Sequence, residues 1–112
     1  MSNEYLTENP TRAELDAMPG SVVVEFGTGW CGHCQAARLP VADAMASFPN
    51  VAHIRIEDGR GRPTGRSFGV KLWPTFVFLA DGREVARVVR PTDAAPVTQA
   101  LAELAAVTQS DG

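Results

Sequence analysis

The stretch Ser21-Val22-Val23-Val24-Glu25-Phe26 is almost unbroken in its apolar, β-branched character, the pattern of a central strand covered on both faces. Gly27-Thr28-Gly29 then turns the chain into a segment where Ala37, Val41, Ala44, Met45 and Phe48 recur at helical spacing, until Pro49-Asn50 ends the run. Pro40 inside it predicts a kink. Both cysteines of the chain, Cys31 and Cys34, lie at the start of that helix, within Trp30-Cys31-Gly32-His33-Cys34. Side chains at i and i+3 are neighbours there, and a disulfide tolerates a Cα separation of roughly 4.4–6.8 Å, so the pair can open and close reversibly.

The flanking sequence supplies the other elements. Thr11-Arg12-Ala13-Glu14 is a capping-box pattern, followed by Leu15 and Met18 and stopped by Pro19-Gly20, which predicts a short first helix. Tyr5-Leu6-Thr7 ahead of it reads as a short edge strand. Val51, His53 and Arg55 alternate with Ala52, Ile54 and Ile56, a strand with one apolar face or near a sheet edge. Gly59 to Gly65 reads as loop, and Ser67-Phe68-Gly69-Val70 as a helical turn. Thr75 to Leu79, Asp81-Gly82 and Glu84 to Val89 form a hairpin pattern, because Asp-Gly suits primed turns. After Pro91, Asp93 caps a final helix with Val97, Ala100, Leu101 and Leu104 on one stripe, and Thr108 to Gly112 is expected to fray.

At 112 residues the chain fits a single domain spanning residues 1–112, large enough to need no structural disulfide, which leaves the cysteines free for chemistry. Hydrophobic content of 45% with 21% charged residues is that of a soluble globular protein, and no apolar stretch reaches the length of a membrane span. Met1 to Leu6 lacks the basic and apolar regions of a secretory signal, which points to a reducing compartment, the cytoplasm. The net charge of −3 argues against nucleic-acid binding, although Arg55, Arg60, Arg62, Arg66 and Lys71 cluster. Arg60-Gly61-Arg62-Pro63 matches the core of DNA minor-groove hooks, but one such core on an acidic domain rarely suffices. A zinc site is disfavoured as well: it needs four ligands, and beside the two cysteines the chain offers only His33, inside the chelate, and His53.

The order (β)αβαβαββα, with Cys-x-x-Cys between the buried strand and the second helix and with Trp73-Pro74-Thr75 opening the hairpin, resembles the thioredoxin family along almost the whole chain. That resemblance implies the thioredoxin fold, an α/β architecture with a central mixed sheet flanked by helices on both faces. Glu25 sits where the family carries a buried acid, His53 where it carries a nearby lysine, and Pro74 where it carries a cis-proline. Cys-Gly-His-Cys is the version found in protein disulfide isomerases, whereas thioredoxins usually carry Cys-Gly-Pro-Cys. The chain departs from the family at Gly27, where an aromatic residue is usual, at Gln35, where a lysine is common, and at the large Trp73 before the proline.

The implied activity is thiol–disulfide exchange with protein disulfides. Cys31 would attack to form a mixed disulfide and Cys34 would resolve it. The thiolate is the nucleophile, and the unpaired N–H groups and dipole of a helix N-terminus favour that anion; His33, when protonated, adds positive charge. Glu25 is expected to take the proton from Cys34, directly or through water. Trp30, Gly32, Trp73, Pro74 and Thr75 are the expected substrate-binding residues, with an extended substrate pairing beside Pro74 as an added strand. No bound cofactor is implied. Thioredoxin reductase or glutathione would supply electrons to a monomer that engages neither nucleic acid nor membrane. The rival reading is an interaction or chaperone module on the same fold, with incidental redox activity.

Overall fold

Capping sets the first helix. Thr11 Oγ1 accepts the Glu14 N–H at 3.1 Å while Glu14 Oε1 accepts the Thr11 N–H at 2.9 Å, opening α1 (Arg12–Asp16). The chain then enters β1 (Ser21–Gly27), crosses over through α2 (Gly32–Met45) to β2 (Ala52–Glu57), passes α3 (Pro63–Ser67), forms the hairpin β3 (Thr75–Ala80) and β4 (Arg83–Val89), and closes with α4 (Ala95–Ser110). The structure, a computed structural model, describes residues 5–6 and 10–110.

The sheet order is β2-β1-β3-β4, with β1 parallel to β2 and antiparallel to β3, and β4 antiparallel to β3. Because successive residues of a strand face opposite sides, β1 divides the core. Val22, Val24 and Phe26 pack with Ile56, Val77 and Leu79 against Leu15 and Phe68, on the side of α1 and α3. Val23, with Phe76 and Phe78, packs against Ala37, Val41 and Ala44 of α2 and Val97, Ala100, Leu101 and Leu104 of α4. The mixed sheet with helices on both faces is the architecture the sequence implied. Glu25 shares its parity with Val23 and so faces the side of α2, where the cysteines lie.

β2, weakest in apolar content, is an edge strand of the four. On its outer side Leu6 makes an isolated parallel bridge to Ile56: its N–H donates to the Arg55 carbonyl at 2.8 Å, and its carbonyl accepts from the Glu57 N–H at 3.0 Å. This contact fixes Tyr5; Thr7 lies outside the described residues. The hairpin turn places Asp81 at φ 49° and Gly82 at φ 84°, the paired positive angles of a type I′ turn.

Three boundaries differ from the sequence expectation. α3 begins within the presumed loop, because Pro63 at its first position has the φ a helix needs and no N–H to leave unpaired. α2 continues unbroken through Pro40 but ends at Met45, short of Phe48. α4 runs to Ser110 instead of loosening at Thr108, whose hydroxyl donates to the carbonyls of Leu104 and Ala105, at 3.1 Å each. Asp111 and Gly112 lie outside the described residues. Among the described residues no helix is long and apolar enough to cross a membrane.

Candidate active site

Cys31 is the N-cap of α2. Its backbone is extended (φ −77°, ψ 123°), and its sulfur accepts the N–H of Cys34 at 3.3 Å, as a capping oxygen would. An anion at this atom meets an aimed donor and the positive end of a 14-residue helix. Both thiols are free. Cys31 retains 8% exposure, whereas Cys34, one turn in, retains none. Burial, followed by the hydrogen bond with Cys31, pushes the Cys34 thiol up to about 11, although the Thr28 backbone N–H and the Tyr5 hydroxyl pull the other way. The inner sulfur therefore needs a base before it can attack.

Glu25 stands behind it at 2% exposure. Its Oε1 is 2.8 Å from His53 Nε2 and 3.2 Å from Arg55 Nε, while Oε2 accepts the hydroxyl of Tyr5. The Arg55 contact is an ion pair rather than an aligned hydrogen bond. β-Register explains the cluster: Val23 pairs with His53 and Glu25 with Arg55, so both basic side chains project on the face that carries the acid. These partners offset the cost of burying a carboxylate. Tyr5 packs with Cys31, Cys34 and Trp73. A Cβ added at Gly27 would come within 2.6 Å of Cys34 Sγ and 2.9 Å of Tyr5 Oη, so the missing side chain leaves the room that the phenol fills.

The lip of the site is aromatic. Trp30 is 75% exposed, and its ring meets that of Trp73 edge-on, with centroids 5.7 Å apart and planes at 79°. The Trp73–Pro74 peptide bond is cis, and the Trp73 carbonyl lies 4.0 Å from Cys31 Sγ. Gly32 and His33 are exposed on the first turn of α2. Thr75 is buried, and its hydroxyl donates to the Leu72 carbonyl at 2.6 Å, which ties the start of β3 to the loop before the cis peptide.

Three contributors were not singled out from the sequence. Tyr5 read as an edge-strand residue. Asp58 accepts the indole N–H of Trp73 at 2.8 Å, and Arg90 donates from Nε to the Trp73 carbonyl at 2.8 Å, from a left-handed backbone at φ 50°. Arg90 was within reach of sequence reasoning only as an odd charge at the end of a strand. Nothing local marks the other two.

The family model for thioredoxin matches residues 4–103. The chain is 33% identical over 87 residues to thioredoxin H-type 1 of Nicotiana tabacum, a match over 78% of this chain and 64% of that one. It therefore spans a little under two thirds of that curated relative. Its fold superposes on thioredoxin 2 of Pseudomonas aeruginosa in its reduced form with a TM-score of 0.85, at 56% identity over 95% of this chain and 98% of the other. A thioredoxin of Fasciola hepatica matches at a TM-score of 0.69 and 24% identity, over 84% and 94% of the two chains, which is a likeness of fold alone. With the family match running through most of its 112 residues, the chain belongs to the thioredoxin family.

Proposed function

We propose that this protein is a thiol–disulfide oxidoreductase that reduces disulfides in other proteins. The observation that carries the reading is the pairing of two unlike sulfurs: Cys31 at a helix N-cap with the Cys34 N–H aimed at it from 3.3 Å, and Cys34 wholly buried behind it. In the first step the Cys31 thiolate attacks a substrate disulfide, one substrate sulfur leaves as a thiolate, and a mixed disulfide forms. In the second, Cys34 gives up its proton and attacks Cys31, releasing the other substrate sulfur and closing the Cys31–Cys34 bond. The substrate gains two electrons and the protein loses them.

Glu25 is the base for the second step. Trp30 and Trp73 form an apolar rim for the substrate, and the backbone at Trp73-Pro74 offers the edge along which it lies extended. His33, when protonated, favours the thiolate form of the motif and so a more oxidising pair than a proline there would give. The substrates are protein disulfides, electrons return from a thioredoxin reductase or from glutathione, and the protein works as a monomeric single domain in the cytoplasm. Insulin reduction driven by dithiothreitol tests the reading: the protein accelerates insulin precipitation and Cys31→Ser loses the acceleration entirely. Acceleration retained in that variant would overturn it.

A further inference from the structure

The phenol of Tyr5 touches both partners of the proton transfer on which the resolving step depends. Its hydroxyl donates to Glu25 Oε2 and lies beside the Cys34 thiol, with which the ring packs, in the space left by the absent side chain at Gly27. Glu25 Oε1 is engaged by His53 and Arg55, so Oε2, the oxygen facing Tyr5, is the one open to a proton. We propose that Tyr5 is a proton relay between Cys34 and Glu25, doing with a fixed hydroxyl what a mobile water would otherwise do. The inference rests on the oxidoreductase reading and deepens its second step.

The transfer balances. Tyr5 passes its proton to Glu25 Oε2 while its oxygen takes the proton of Cys34 Sγ, so Tyr5 begins and ends neutral, Cys34 becomes a thiolate and Glu25 a carboxylic acid. The Cys34 thiolate then bonds to Cys31 Sγ, and the bond from Cys31 to the substrate sulfur breaks. That sulfur leaves with the electron pair and takes a proton from water; the proton on Glu25 later passes to solvent. Burial and the neighbouring Glu25 push the phenol's own ionisation far upward, so it conducts a proton without resting as an anion. Unaided, a thiol at about 11 would be ionised to roughly one part in ten thousand at neutral pH. The other titratable or charged groups facing the relay are Cys31 on the α2 side, Glu25 on β1, and His53 and Arg55 on β2.

Stopped-flow reaction of the reduced protein with dithiobis(nitrobenzoate) separates the steps, because attack by Cys31 releases one coloured thiolate and resolution by Cys34 releases the second. In Tyr5→Phe, which keeps the ring, the first phase should stay within about twofold of wild type. The second should slow by roughly tenfold to a hundredfold at neutral pH. That deficit should shrink as the pH rises toward about 11, where solvent ionises Cys34 without the relay. A second phase equal to wild type overturns the relay, and so does equal slowing of both phases, which a merely structural role would give. A wild-type protein with no second phase overturns the oxidoreductase reading itself, and the relay with it.

Discussion

Around Cys31 the site is built from backbone groups and aromatic rings: a helix N–H, the Trp73 carbonyl, the exposed Trp30 and the half-buried Trp73 that it meets. Behind Cys34 it is built from titratable side chains taken out of water: Tyr5, Glu25, His53 and Arg55. The outer arrangement holds an anion with dipoles that solvent screens, so each contact there has modest energetic weight. In the inner arrangement the local dielectric is low, and every charge needs its partner. Attack and resolution, although they use sulfurs three residues apart, therefore respond to different kinds of change.

The inner cluster should be the more fragile. Glu25→Ala leaves His53 and Arg55 without their carboxylate and the Tyr5 hydroxyl without its acceptor. Loss of one member of a buried pair costs about 3–5 kcal/mol. His53 and Arg55 keep 17% and 16% exposure, which places the expected loss near the lower end, about 3 kcal/mol by urea unfolding. A loss below about 1 kcal/mol would erase the distinction drawn between the two regions.

Alkaline titration separates the sulfurs next. The Cys34 thiol ionises near 9.0 in an unfolded chain and at about 11 in the fold, so between these values the unfolded chain sheds a proton that the folded one keeps. The reduced form accordingly keeps its full stability below pH 9 and loses roughly 2–3 kcal/mol toward pH 11. The disulfide form, with no thiol at position 34, should decline less. Thermal unfolding of both redox forms across this range checks it, and parallel curves would show that Cys34 is not the group responsible.

The outer rim should give the mildest response. Trp30→Ala removes a ring that is 75% exposed, so stability should change by no more than about 0.5 kcal/mol. Loss of its contact should cost about 1 kcal/mol in the reaction with insulin, about fivefold in kcat/KM. A large fall in stability with intact kcat/KM would mean that the ring serves the fold rather than the substrate.

What could be read from residues alone follows the same division. The capping box at Thr11, the Asp81-Gly82 turn and the unbroken apolar run of β1 are local patterns, and the elements they imply are the ones observed. The pairing of the two thiols was visible for the same reason, since i and i+3 side chains at a helix start are neighbours, whereas the acid at Glu25 was reached only through the family resemblance. α3 was less visible, because a proline-led turn carries no hydrophobic period. Tyr5 meets Glu25 across 20 positions, Trp73 meets Asp58 across 15 and Arg90 across 17. Those encounters are made by crossovers and a strand bridge, and no local propensity encodes them.

Arg90 shows what the last of these encounters entails. A left-handed backbone at φ 50° suits glycine, and any side chain there costs about 1 kcal/mol or more. The arginine is held in that turn by two hydrogen bonds, its backbone N–H on the Pro74 carbonyl at 2.9 Å and its Nε on the Trp73 carbonyl beside Cys31 at 2.8 Å. Backbone tension at one residue and the position of the cleft wall are thus tied together, since both hydrogen bonds of Arg90 end on the two residues of the cis peptide.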